Sequence, residues 1–166
     1  MKYLFLLIFM SSIGIFFYKG LKIDPSVVPS NLIDEKTPNF QLKKIAKYPL
    51  FQPNDLKKPE IKIVNFFATW CAPCKVEHPQ LMKLSSSFTI YGIAKKDNTK
   101  DINKWLKNYG NPFDRIGLDS DGISSIEWGV YGLPETFIIN KENKIIYKHV
   151  GPIMEKDLEK INIILK

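Results

Sequence analysis

Apolar positions along this chain change their period several times, and each change marks an element. From Leu4 to Met10 and again from Ile13 to Phe17 the residues are almost continuously apolar. A soluble fold has no use for such a run at its end, so it reads as a membrane anchor or a cleaved signal peptide. Spanning needs roughly 17–25 residues, and this run lies near the lower limit. Phe16, Phe17 and Tyr18 are bulky where a cleavage site needs small residues, which favours an uncleaved anchor over residues 1–22. Tyr3 and Tyr18 suit the two interfaces, and Lys19 and Lys22 can snorkel. Lys2 with the amino terminus balances Lys19 and Lys22, so charge does not set the orientation.

Residues 23–36 hold Pro25, Pro29 and Ser30 with little periodicity and read as a linker. A globular domain is expected over 37–166. Phe40 and Leu42 alternate as on a half-buried strand, and the proline-rich stretch 48–59 reads as a loop with a short second strand. Ile61 to Phe67 is apolar, β-branched and aromatic, the pattern of a buried strand. A helix is expected from Lys75 to Ser86, kinked where Pro79 removes a hydrogen bond. Phe88–Ala94 predicts the next strand, parallel to the first. Thr99 is expected to cap a helix whose inner face is Ile102, Trp105, Leu106 and Tyr109, stopped by Gly110 and Pro112. A short strand (115–118), a turn (119–122) and a short helix (123–128) follow. Pro134 opens a strand at its tolerated first position, Asn140–Asn143 turns the chain, and Lys144–Val150 returns as a strand. The last helix, from Glu155 to Leu165, buries Leu158, Ile161 and Leu165. The acidic turn at Asp119 and Asp121 lacks the ligand pattern that a calcium loop requires.

The alternation of strands and helices frames the chain's two cysteines. Cys71 and Cys74 lie three apart, between the end of a buried strand and the start of a helix. Unpaired N–H groups and the positive dipole end at a helix N-terminus stabilise an anion, and the thiolate is the reactive form of cysteine. Three readings stand at this point. A static disulfide would close so short a loop that it removes little chain entropy. A zinc site could draw on Cys71, Cys74, His78 and His149, but the spacing is unlike the usual fingers. Dithiol exchange agrees best with the α/β surroundings. Glu77, three residues after Cys74 on the same helix, can face the same side and take its proton through water. His78 is expected to pack rather than to react.

At 166 residues the chain has room for one domain and an appendage, and a hydrophobic fraction of 45% supplies a core. The net charge of +7 is spread over scattered lysines rather than a basic stripe, which argues against a nucleic-acid partner.

The segment from Val64 to Glu77, with Trp70-Cys71-Ala72-Pro73-Cys74 at its centre, resembles the active-site segment of membrane-anchored periplasmic thioredoxin-like proteins. Gly110–Phe113, Gly129–Phe137 and Tyr147–Pro152 are similar to the CcmG/DsbE branch in particular. The resemblance implies a thioredoxin-like α/β fold over about 37–166: a mixed sheet flanked by helices, with an N-terminal strand extension and a helix-strand insert. It implies a thiol:disulfide oxidoreductase that reduces the haem-site disulfide of apocytochrome c, directly or through a partner thiol protein. Such a protein is re-reduced by a membrane thiol carrier, uses no cofactor or metal, and sits on the inner membrane as a monomer with its domain in the periplasm. By the same match Pro134 is a cis-proline lying against the cysteines, Trp70, Leu133 and Pro134 contact substrate, and Glu77 and Glu135 are acidic residues near the sulfurs. Two carboxylates there would disfavour the thiolate and favour electron donation. Asn65 stands where thioredoxin keeps an aspartate, six residues before the first cysteine, so any base for Cys74 comes from elsewhere. A general periplasmic reductant, a dithiol oxidase and a non-enzymatic apocytochrome-docking module are the competing functions.

Overall fold

The computed structural model describes residues 2–21 and 31–165. Pro25, Pro29 and Ser30 of the expected linker, and Lys22 at the end of the expected anchor, lie outside them. Helix α1 (Lys2–Leu21) contains an 18-residue stretch with a mean hydropathy of 1.9 and has no buried residue; it is long and apolar enough to cross a membrane.

Five strands form one mixed sheet in the order β3-β2-β1-β4-β5. They are β1 (Lys62–Phe67), β2 (Thr89–Lys95), β3 (Arg115–Asp119), β4 (Glu135–Ile139) and β5 (Ile145–Val150). β1 runs parallel to β2 and antiparallel to β4, and β3 and β5 form the two edges. Between them lie α2 (Ala72–Leu84), α3 (Thr99–Tyr109) and α4 (Ile123–Glu127), and α5 (Glu155–Ile164) follows β5. This is the thioredoxin-like arrangement, with α3 and β3 as the helix-strand insert.

Alternation along β1 divides the core into two layers. Ile63 and Phe67 face α2, α3 and α5, together with Leu81, Trp105 and Ile161. Val64 and Phe66 face the other way, into an aromatic layer with Phe40, Phe51, Tyr91, Trp128 and Phe137. Both cysteines belong to the first layer, the sulfur face.

Several boundaries differ from the sequence expectation, each for a local reason. Helix α2 begins at Ala72 rather than Lys75, because Cys71 is its N-cap and Pro73 fits the first turn. It runs unbroken through Pro79. Asn98, not Thr99, caps α3 by accepting from the Asp101 N–H at 2.9 Å. Asp119 is the buried last residue of β3 rather than part of a turn; its carboxylate accepts from the N–H groups of Ser124 and Ser125 and starts α4. The expected strands around Phe40 and within 48–59 are reduced to single bridges, Lys43 with Leu118 and Leu50 with Ile116, followed by a 3-10 helix at Pro53–Lys57.

Residues 31–37, expected as linker up to residue 36, contribute to the domain. Asp34 N–H donates to Ile145 O at 2.8 Å, Ile145 N–H to Glu35 O at 3.0 Å, and Thr37 N–H to Asn143 O at 3.1 Å. This strap covers the outer edge of β5, which would otherwise offer unpaired backbone groups to another chain.

Gly92 of β2 lies on the sulfur face opposite Asn65, and a Cβ there would meet the Phe113 ring at 2.9 Å. Phe113 in turn stacks on Phe67 at 4.9 Å. We therefore expect Gly92→Ala to cost about 1–3 kcal/mol in denaturant unfolding. In a double-mutant cycle with Phe113→Ala, the cost of Gly92→Ala should shrink.

Candidate active site

The site forms where β1 ends and α2 begins. Cys71 and Cys74 are joined as a disulfide, and both are nearly buried. The N–H of Cys74 donates to Cys71 Sγ at 3.2 Å, so the first sulfur occupies the acceptor position of a helix N-cap. That contact is where a thiolate gains most from the helix N-terminus. Ala72 and Pro73 between them are exposed.

The loop before Cys71 is held by groups that the sequence pattern did not single out. Asp97 accepts from the Thr69 N–H at 2.6 Å and the Thr69 hydroxyl at 2.9 Å. The Trp70 indole N–H donates to Lys96 O at 3.1 Å while the ring stays 64% exposed. Lys96 itself has a positive φ of 46°, the bend that turns its carbonyl and Asp97 towards this loop. Trp70 is therefore tethered through its indole N–H without being packed into the core. On the other side, Leu133–Pro134 is a cis peptide bond, and Pro134 O accepts from the Gly151 N–H at 3.0 Å. Pro134 is buried and Leu133 half-buried.

Beneath the cysteines, Glu77 is completely buried. Its Oε1 accepts from Asn65 Nδ2 at 2.8 Å and its Oε2 from the Ile153 N–H at 3.1 Å. Burial pushes its carboxyl up to about 7, against the smaller opposing effect of those two hydrogen bonds. Asn65 Nδ2 also donates to Thr136 Oγ1 at 3.0 Å. Thr136 faces Asn65 directly across β1 and β4, a contact visible only once the register is known. Asn65 thus fills its position as a donor to Glu77.

Glu135 is not where the resemblance implied. It pairs with Phe66, whose side chain lies in the aromatic layer, so it occupies the face of the sheet away from the sulfurs. Its Oε1 accepts from the N–H groups of Tyr131 and Gly132, and its Oε2 forms an ion pair with Lys148 Nζ at 2.9 Å. Strand alternation forces this: if Thr136 faces Asn65, its neighbour faces away. The fold therefore brings one carboxyl, Glu77, towards the cysteines.

The two histidines are engaged elsewhere. His78 is buried, with Nε2 3.1 Å from Gly110 O and its ring 5.2 Å from that of Trp105. Burial lowers its pKa. His149 Nε2 lies 3.4 Å from Pro152 O, beside the Tyr147 hydroxyl. Among the described residues no group of three or more His, Cys, Asp and Glu side chains is gathered to hold a metal.

The raised carboxyl predicts a pH dependence. Glu77 favours the fold fully below the unfolded value of 4.5, and that contribution is lost as pH rises through about 7. The loss amounts to roughly 3 kcal/mol at 1.36 kcal/mol per pKa unit. His78 acts in the same window with the opposite sign, since a lowered histidine contributes above its unfolded value of 6.5 and loses that as pH falls. The difference between wild type and Glu77→Gln isolates the carboxyl. In urea unfolding of the oxidised proteins, Glu77→Gln should gain on wild type by roughly 3 kcal/mol between pH 4.5 and pH 8. Parallel pH profiles would show that the carboxyl is not raised.

Comparison with known proteins agrees with this geometry. The AhpC/TSA family profile matches residues 33–148. The chain is 35% identical over 150 residues to a "Thiol:disulfide interchange protein DsbE homolog" of Paracoccus denitrificans, covering 90% of this chain and 84% of that relative. It is 33% identical over 161 residues to the "Thiol:disulfide interchange protein HelX" of Rhodobacter capsulatus, covering 96% and 92%. Among solved structures, a thioredoxin-family thiol:disulfide interchange protein of Chlorobium tepidum superposes with a TM-score of 0.61 at 26% identity, covering 83% of this chain and 99% of that one. A redox pair capping a helix, a cis-proline opposite it and these relatives converge: the chain belongs to the AhpC/TSA family, among its DsbE-type thiol:disulfide interchange proteins.

Proposed function

We propose that this protein is a membrane-anchored reductant that delivers electrons to the haem-site disulfide of apocytochrome c, directly or through a partner thiol protein. Glu77 carries the proposal: a fully buried carboxyl one helical turn beyond Cys74, with a pKa near neutrality. The relatives' names, DsbE, HelX and CycY, support the pathway.

In the reduced protein, the Cys71 thiolate attacks one sulfur of the substrate disulfide and expels the other as a thiolate, which takes up a proton. A mixed disulfide remains. Cys74 then gives its proton to the Glu77 carboxylate through water, and its thiolate attacks Cys71 Sγ. The second substrate thiolate leaves, and the protein keeps the Cys71–Cys74 disulfide. Two electrons pass to the substrate, and a thiol carrier in the membrane restores the dithiol. A carboxyl with a pKa near 7 is poised to accept and release that proton at neutral pH. When ionised, it disfavours a neighbouring thiolate, which weakens the reduced form. A potential near the thioredoxin value of about −270 mV follows, rather than the strong-oxidant value of about −120 mV. Trp70, Leu133 and Pro134 form the surface on which the substrate segment docks. Helix α1 anchors the domain to the inner membrane, on the periplasmic side.

The experiment is trapping in native membranes with Cys74→Ala, which stops the reaction at the mixed disulfide. We expect Cys71 to capture apocytochrome c or a thiol protein that itself captures apocytochrome c, in the carbonate-resistant membrane fraction. Capture of only unrelated secreted disulfide proteins would favour a general reductant, and normal cytochrome maturation in Cys71→Ala/Cys74→Ala cells would leave only a docking role.

A further inference from the structure

Lys148 is a buried lysine set, with Glu135, against an apolar layer of aliphatic and aromatic residues. It lies directly opposite Phe137 across β4 and β5, on the face of the sheet away from the sulfurs. Its ammonium donates to Gly129 O at 2.7 Å and pairs with Glu135 Oε2 at 2.9 Å. It also lies 4.6 Å from the centre of the Tyr131 ring and 5.3 Å from that of Phe137. Glu135 Oε1 in turn accepts from the N–H groups of Tyr131 at 2.9 Å and Gly132 at 3.1 Å.

These contacts share one destination. The segment from Gly129 to Gly132 leads into Leu133 and Pro134, and Lys148 grips it at both ends. It holds the Gly129 carbonyl directly, and through Glu135 it holds the next N–H groups but one. A buried ion pair is a poor source of stability, because apolar residues of similar volume usually do as well. What it supplies is a fixed geometry, since a lysine lacking Glu135 would be a buried, uncompensated charge, and one lacking the Gly129 carbonyl would bury an unsatisfied donor. Tyr131 shows why the geometry matters outside. Its ring is 73% exposed, yet it is fixed from behind by the ammonium and from its own N–H by the carboxylate.

We propose that Lys148 is a positioning residue for polypeptide substrates: working through Glu135 from the far side of the sheet, it fixes the Gly129–Gly132 loop so that Tyr131 and Leu133 present a rigid docking edge beside Cys71. The proposal rests on the reading of Leu133–Pro134 as a substrate-docking surface. Tyr131 becomes part of that edge, extending it away from Trp70. The partner is a polypeptide disulfide whose flanking residues reach Tyr131. The sulfur chemistry itself needs nothing from the loop.

The test is steady-state reduction of two polypeptide disulfides, insulin and an oxidised Cys-x-x-Cys peptide, by the full chain in detergent, with dithiothreitol as the electron donor that restores the Cys71–Cys74 dithiol and its uncatalysed rate subtracted. The variants are Lys148→Met, Lys148→Arg, and Lys148→Met/Glu135→Leu, which replaces the pair by apolar groups should the single variant fail to fold. We expect KM to rise at least fivefold in both methionine-bearing variants while kcat changes less than twofold. Lys148→Arg should restore at least half of the loss, and Tyr131→Ala, which removes the ring facing the ammonium but keeps the Lys148–Glu135 ion pair, should also raise KM. The reduction potential should not move in any of them, because the sulfurs keep their surroundings. A folded variant with wild-type KM, or one in which kcat and the potential shift with KM unchanged, overturns the positioning role. Failure of the wild type to reduce either polypeptide would instead overturn the reading of the surface as a substrate-docking edge, and the proposal with it.

Discussion

A fully buried carboxyl, held by two hydrogen bonds and by no ion pair among the described residues, joins the three parts of the domain on which the redox site depends. Glu77 stands on α2, its Oε1 reaches the central strand at Asn65, and its Oε2 takes the N–H of Ile153 where the chain turns from β5 into α5. Desolvation opposes the charge on this group. The hydrogen bonds offset only part of that opposition, so the carboxyl sits where a single proton can enter or leave near neutral pH. The same contacts that hold the helix against the sheet therefore tune the pKa of this carboxyl.

The two faces of the sheet divide the labour. On one, Cys71 caps α2 and Cys74 lies in its first turn, on the same layer as Asn65, Thr136 and Glu77. On the other, an aromatic-rich layer encloses the Lys148–Glu135 ion pair, which reaches around the end of β4 to the cis-proline loop. Asp97 and Lys96 do the corresponding work for the Trp70 loop. Both borders of the cysteine site are thus fixed by groups lying well outside it in sequence. Such preorganisation lowers the ordering cost when a polypeptide docks.

What could be read from the chain alone was what is local. Cys71, Cys74, the strand before them and the helix after them are contiguous, and Glu77 follows from helical spacing. The apolar run of α1 and the succession of strands and helices are legible from period and order, whereas the mixed sheet is what the resemblance to thioredoxin-like proteins implies. The resemblance sets Glu135 near the sulfurs, whereas the two-residue period of a strand turns it to the opposite face. Thr136, Asp97 and Lys148 were invisible because their partners are distant in sequence: Asn65, Thr69, and the Gly129 loop with Glu135. The strap at residues 31–37 escaped for the same reason, since its hydrogen bonds run to the turn and start of β5 more than a hundred residues away.

The most direct measurement of the account is the rate at which Cys74 resolves a mixed disulfide on Cys71, followed by stopped flow from pH 5 to pH 9 in wild type and Glu77→Gln. If the buried carboxyl accepts the Cys74 proton, the wild-type rate rises with an inflection near pH 7, and Glu77→Gln loses that inflection and runs at least tenfold slower at neutral pH, within the usual reach of general-base catalysis, about 10²–10⁴-fold. Superimposable profiles for the two proteins would contradict it.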